Sequence, residues 1–359
     1  MDTRVQRQFP GVHWIWGGGI SFVYEVHPRI VVKVPKSGKF EREQFNKELE
    51  IYRVFLQNPP CLSIVQCFYF CNSGSFLEYM RGQSLFYRIQ HNHTRDQQIM
   101  VVTTVEKLEP LPLRKRWMND LAEGAAFLES LNLAHGDLLP ENILLDRNRL
   151  KLSDFGCAAK VGTPYEACLA PYGPRVVDLL QNMEFPKLHG DPLIDTVIDK
   201  CWHNRYVSVS ELAAHTKTLL DERKEAMQNN KSRKESSAVA TFVRAIQTPI
   251  TRTSGENLGS IDQGYLTRES LSKREFCQDL EKRGLLRVLA SGEPEQLGFT
   301  FEWYRHNLKS WMRGVCYVEV SSIASMPMFQ PSSLFINLKS LVSGTFLTDC
   351  NSTSHSDQR

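Results

Sequence analysis

Two spacings of apolar side chains follow one another along this chain. Over residues 12–35 apolar and polar positions alternate around a glycine cluster, HWIWGGGISFVYEV and then RIVVKVP, which predicts a β-hairpin-like start and a third strand. FEREQFNKELEIYRVFL, residues 40–56, changes to helical spacing and puts Phe45, Leu49, Tyr52 and Leu56 on one face. SIVQCFYF and SFLEYM return to short strands. RWMNDLAEGAAFLESLNL predicts an amphipathic helix whose buried stripe holds Trp117, Leu121, Ala125 and Leu128. NILLD and LKLSDF read as a strand pair, then DPLIDTVIDKCW and SVSELAAHTKTLLDERKEAM as two helices. Strands come first and helices second, the order of a two-lobed α+β domain.

Beyond residue 222 the pattern changes. Residues 223–275 are polar and rich in Ser, Thr and Asn, too poor in apolar surface to offset chain entropy, and read as a disordered linker. Order returns over 276–314, with Leu285, Val288 and Leu289 in one helix and Tyr304, Leu308 and Met312 in another. Residues 315–359 form a Ser- and Pro-rich tail. The segment FTFEWYRHNLKSWM is expected either to stand as its own helical unit or to dock on the preceding domain.

Composition changes this picture little. Hydrophobic residues at 42% and charged residues at 23% suit a globular chain. With 43 basic against 40 acidic residues the net charge is +3, which argues against a nucleic-acid or membrane surface. MDTRVQRQFP lacks the apolar core of a secretory signal, and no apolar run reaches membrane-spanning length. Nine scattered cysteines without C-x-x-C spacing read as reduced thiols in a cytoplasmic or nuclear protein.

The chemistry sits in five places. WGGGISFVYEV is a glycine-rich turn: Gly17, Gly18 and Gly19 precede Val23, and backbone N–H groups there can approach phosphate oxygens without a Cβ in the way. A plain glycine hairpin would read the same. Lys33 lies in the apolar strand VVKVP, either on an edge facing water or buried beside a counter-charge, for which Glu48 on the next helix is the natural partner. SFLEYMRGQSL contains Leu77, Glu78 and Met80 at a strand end. HGDLLPENILLD carries His135, Asp137 and Asn142, and SDFG carries Asp154. Three unrelated polar residues in turns would not keep these mutual spacings.

With those motifs in this order, residues 12 to about 222 resemble the eukaryotic protein kinase domain, in a divergent, fungal-like form. The resemblance implies a β-rich small lobe over 12–80 and a helical large lobe over 81–222. It implies ATP and Mg²⁺ as cofactors and a protein hydroxyl, of Ser or Thr, as acceptor. Lys33 would grip the phosphates and pair with Glu48. Gly17, Gly18, Gly19 and Val23 would cover the nucleotide. The backbone of Glu78 and Met80 would take the adenine. Asp137 would orient the acceptor, and Asn142 and Asp154 would hold the metal.

Four departures stand out. Leu139 replaces a lysine that neutralises the transferred phosphoryl, which points to slow transfer or to a kinase-like binding module without turnover. A small-molecule or KEOPS-like phosphotransferase is a further alternative. Gly136 replaces the arginine that reads an activation-loop phosphate. APYG, 170–173, puts Tyr172 where a glutamate would pair with Arg205. Between Pro171 and Cys201 only one short helical pattern occurs where the family has a long buried helix, so part of the large lobe is expected to be missing.

Overall fold

Apolar residues occupy both sides of the first strands, and the fold uses both. The computed structural model describes residues 4–95, 102–105, 107–163, 182–185, 187–220 and 268–300. Helix α1 (Arg4–Gln8) leads into strands β1 (His13–Gly17), β2 (Ser21–His27) and β3 (Ile30–Pro35), then helix α2 (Lys39–Leu56) and strands β4 (Cys67–Cys71) and β5 (Gly74–Glu78). The strands form one antiparallel sheet in the order β1-β2-β3-β5-β4. Side chains alternate across it. Ile15, Val31 and Leu77 join the core shared with α2 and the helical half. Trp14, Phe22, Tyr24, Val26, Ile30, Val32, Val34 and Phe76 point the other way.

That second face is covered from both ends of the chain. Val5 and Phe9 of the N-terminal stretch meet it. So do Cys277 and Leu280 of a helix running Arg268–Lys282, Leu285, Leu286 and Leu289 of a short helix Leu285–Leu289, and Phe299. An antiparallel sheet with one wet face alternates apolar and polar residues, whereas these strands are apolar on both faces because both are covered. The Arg268–Lys282 helix crosses the 275/276 boundary that composition suggested, and its residues pack on the sheet rather than standing apart. The expected helix over 304–312 and the tail lie outside the described residues.

After β5 the order is α3 (Leu85–His91), β6 (His93–Arg95), β7 (Val102–Val105), α4 (Leu111–Ser130) and β8 (Leu133–Ala134). Then come a 3₁₀ turn at Pro140–Asn142, β9 (Ile143–Asp146), β10 (Arg149–Leu152) and β11 (Ala159–Lys160). Helix α5 (Pro192–Trp202) and a helix, α6, whose described part covers 209–220 close the lobe. The C-terminal pair is α7 (Arg268–Lys282) and α8 (Leu285–Leu289). The architecture is α+β, a sheet-rich first lobe followed by a helical second one.

Local chemistry starts these helices where they start. Asp191 caps α5, accepting from the N–H groups of Leu193 and Ile194, with Pro192 in the first turn. The first turn of α6 is capped from another helix: Glu129 of α4 accepts from the Val209 and Ser210 N–H groups at 2.9 and 3.0 Å. Trp117, Met118, Leu121 and Leu128 of α4 are buried against Ile194, Val197 and Ile198 of α5 and Leu212 of α6. Ala125 is half-buried. On α2 the expected stripe holds at Phe45, Leu49 and Tyr52, but Leu56 at the last turn is exposed. Arg205, without a glutamate at 172 to pair with, donates to Asp199 at 2.9 Å. The stretch expected to lack a helix falls mostly in 164–181, outside the described residues.

Candidate active site

Lys33 lies mid-strand in β3 with its side chain on the inner face, 8% exposed. Its Nζ donates to Glu48 Oε2 at 2.7 Å and to Asp154 Oδ1 at 3.0 Å. Glu48 is buried on α2, and Tyr52, one turn on, donates its hydroxyl to Glu48 Oε1 at 3.4 Å. Burial pulls the Lys33 ammonium toward losing its proton, but the Asp154 and Glu48 carboxylates outweigh this and hold it well above the ordinary lysine range. Lys33 holds Asp154 below the usual carboxylate range against the opposing effect of burial. Burial pushes Glu48 up, with Lys33 opposing. The lysine is therefore the fixed positive charge between two acids, and removing any one of the three leaves a buried charge short of a partner.

The second half of the site is a loop tied to itself. Asn142 Nδ2 donates to Asp137 Oδ2 at 2.9 Å and to the Asp137 carbonyl at 2.8 Å. The Ser153 N–H and hydroxyl both donate to the Asn142 carbonyl, at 2.9 and 2.8 Å, which locks the HGD loop to the residue preceding Asp154. His135 Nε2–H donates to the Ser153 carbonyl at 3.0 Å, and its Nδ1 accepts from the Asp137 N–H at 3.4 Å. Burial raises the Asp137 carboxyl above its usual range, with the Asn142 amide opposing and Asp154 reinforcing. Half-buried Leu139 follows two residues on, its N–H donating to the Asp137 carbonyl at 2.9 Å. Among the described residues no lysine or arginine is ion-paired to Asp137.

Phe155 joins the halves. Its buried ring lies 5.0 Å from Phe55 and 5.8 Å from Tyr52 of α2, and 5.1 Å from His135. Sequence reading placed Tyr52 on the buried face of its helix but gave it no part in the site, and passed over Phe55 and Ser153. The signal for Tyr52 was available, since it stands one helical turn beyond Glu48 on the same face. Asp154 has a positive φ of 61°, a region Asp tolerates. Gly136 (φ 77°) is bound more tightly: a Cβ there would lie 2.1 Å from the Cys157 carbonyl oxygen. A side chain at 136 would therefore not fit the backbone as it stands.

The remaining positions lie around this centre. Gly17 ends β1, and the Gly18 N–H donates to the Ser21 carbonyl at 2.9 Å, so Gly17, Gly18 and Gly19 form the β1–β2 turn ahead of Val23. Glu78 is engaged: its N–H donates to the Gln66 carbonyl at 2.8 Å and its carboxylate accepts from Lys151 at 2.6 Å. Met80 is buried, and its backbone N–H makes no hydrogen bond to any described residue. Beyond it the chain is stitched to β9, Gly82 N–H to Leu145 O at 2.8 Å and Leu145 N–H to Gln83 O at 2.7 Å, which marks the joint between the lobes.

A metal would find two oxygen ligands here. With its nitrogen spent on Asp137, the Asn142 side chain has its oxygen left, and the Asp154 carboxylate is 47% exposed. Among the described residues no three His, Cys, Asp or Glu side chains converge as a metal cage. Two hard oxygen donors without a cage suit Mg²⁺, which keeps its waters and takes further ligands from phosphate.

His135 supplies a pH test. Burial lowers its pKa to about 4, so it is neutral near pH 7. The unfolded chain, with histidine near 6.5, binds more protons between these values, so this contribution is full above about pH 6.5 and is lost as pH falls toward 4. Asp137 and Glu141, both raised by burial, act in the opposite sense. The difference between wild type and His135→Phe isolates the histidine. Chemical denaturation from pH 7 to 4.5 is expected to show the wild type losing up to roughly 3 kcal/mol relative to the variant. Parallel pH profiles would count against a buried neutral imidazole.

A lysine held by an acid from the neighbouring helix and by the acid of a DFG segment, above an Asp–Asn loop, is consistent with a divergent protein kinase domain. Residues 23–173 match the family described as Protein kinase domain. The chain is similar to two yeast MAP kinase kinase kinases. It is 36% identical to SSK2 of Saccharomyces cerevisiae over 87 residues, 24% of this chain and 5% of that protein. It is 34% identical to wis4 of Schizosaccharomyces pombe over 90 residues, 25% of this chain and 5% of that protein. It is also 32% identical to the serine/threonine-protein kinase SSK22 of S. cerevisiae over 117 residues, 31% of this chain and 8% of that protein. The chain thus spans less than a tenth of the length of these curated relatives.

Proposed function

We propose that this chain is an ATP-dependent protein kinase of the serine/threonine type, transferring the γ-phosphoryl of Mg·ATP to a protein hydroxyl. The observation that carries the reading is the contact of Lys33 with both Glu48 and Asp154, at 2.7 and 3.0 Å. It sets a permanent cation beside the metal-binding carboxylate before nucleotide arrives. Lys33 would bind phosphate oxygens, with Glu48 fixing its direction. The Met80 N–H would take the adenine edge, and the Gly17–Gly19 turn would cover the phosphates. Mg²⁺, held by Asp154 and Asn142, would supply charge neutralisation on the phosphates. Asp137, oriented by the Asn142 amide and raised by burial, would accept the proton of the acceptor hydroxyl as it attacks. The similarity to a protein named a serine/threonine-protein kinase supports the choice of hydroxyl.

Leu139 favours a second reading, nucleotide binding without transfer. A cation is missing where negative charge moves during transfer, which costs a few kcal/mol at comparable sites. Incubation with γ-labelled ATP, Mg²⁺ and a mixed Ser/Thr protein substrate decides between the two. Slow, metal-dependent label transfer is expected, and Leu139→Lys is expected to raise turnover by about tenfold or more at unchanged fold. Metal-dependent ATP binding with no transfer by either protein would leave the binding module standing.

A further inference from the structure

The outer face of the first-lobe sheet is a full second core, and one of its side chains reaches the backbone of the lysine strand. Gly74 opens β5 at the turn from β4, and its neighbour Ser75 is the register partner of Lys33. A Cβ built on Gly74 would lie 2.7 Å from Cδ2 of Leu286 and 3.2 Å from the carbonyl oxygen of Lys33. Leu286 therefore rests on the Gly74 backbone, and the Gly74 backbone rests on that of Lys33. No side chain intervenes to absorb a shift. Leu286 is 2% exposed and belongs to α8, which Gly284, at a φ of 86°, sets at a turn from α7.

The segment carrying Leu286 is anchored at several points. Arg29 pairs with Glu269 at 3.2 Å, and Lys273 Nζ lies 5.0 Å from the centre of the Phe68 ring. Gln8 Nε2 donates to the Arg283 carbonyl at 3.3 Å, and the Phe299 ring lies 5.3 Å from that of Tyr24.

We propose that Leu286 is a positioning residue for Lys33. The docked segment 268–300 fixes the spacing of β5 and β3 at the lysine, so that phosphate binding on the inner face depends on a side chain packed against the outer face. The inference rests on the reading of Lys33 as the phosphate-binding lysine.

Titration calorimetry on the full chain tests it with two ligands, Mg·ATP and adenosine, because Lys33 would meet the phosphates and not the base. Leu286→Ala is expected to weaken Mg·ATP binding by roughly tenfold and adenosine binding by less than about twofold. Leu286→Met is expected to restore ATP affinity. Leu289→Ala, in the same core, is expected to lower the melting midpoint and leave the ATP-to-adenosine ratio unchanged. If Leu286→Ala fails to fold, Leu286→Val carries the same ratio test. An unchanged ratio in the Leu286 variants, or an equal loss of ATP affinity in Leu289→Ala, overturns the proposal while the kinase reading stands. A wild-type chain that binds adenosine and ATP equally, or neither, overturns both.

Discussion

Asp154→Ala is expected to weaken Mg·ATP binding by at least about a hundredfold, equivalent to about 2.7 kcal/mol, while the first lobe stays folded. The carboxylate is the one group in the site placed both to take a metal and to touch the lysine, at 3.0 Å from Nζ. Removing it takes away the proposed metal ligand and half of the charge compensation around Lys33. The other half remains, because Glu48 still accepts from the lysine at 2.7 Å, so the buried ammonium is not left alone. Alanine at a φ of 61° adds about 1–2 kcal/mol of backbone strain. Asp154→Asn, which tolerates that backbone region, separates strain from charge. Both variants should lose the difference in ATP affinity between Mg²⁺ and EDTA. Retention of wild-type Mg·ATP affinity in both would remove Asp154 from the nucleotide site.

The second large effect concerns stability. A chain ending at residue 267 is expected to melt more than about 10 °C below the full chain and to be less soluble. Cys277, Leu280, Leu285, Leu286, Leu289 and Phe299 are all buried on the sheet. Burying one large apolar side chain is worth about 1.5–3 kcal/mol, so together they rival the 5–15 kcal/mol that typically holds a domain folded. Truncation would also expose Phe22, Tyr24, Val32 and Phe76 as one apolar surface. Thermal unfolding of the two chains, with solubility measured beside it, gives the answer. An equal or higher midpoint at equal solubility would make residues 268–300 a separate module.

The first lobe was legible because its strands and α2 carry their periods in plain view. Lys33 stands out in the sequence as a charge inside an apolar strand, and Glu48 as an acid on the next helix. The docking of the C-terminal segment was not legible in the same way. Its helix opens RESLSKREF, polar on most faces, and the run leading to it has the composition of a linker. What could have given it away lay elsewhere: IVVKV and SFVYEV leave no wet face for an antiparallel sheet, so something had to cover the second one. The engaged Glu78 N–H was equally hidden, because hydrogen-bond partners across a sheet depend on register. The departures at Leu139 and Gly136 were visible as missing side chains, but the backbone cause at Gly136 was not.

That cause has an evolutionary consequence. A single nucleotide change can turn a glycine codon into an arginine codon, so on paper the common loop sequence is one step away. The geometry blocks the step, because any Cβ at Gly136 meets the Cys157 carbonyl at 2.1 Å. The obstacle is a backbone oxygen, so exchanging the Cys157 side chain would not remove it; the Cys157 peptide itself would have to move before an arginine could stand at 136.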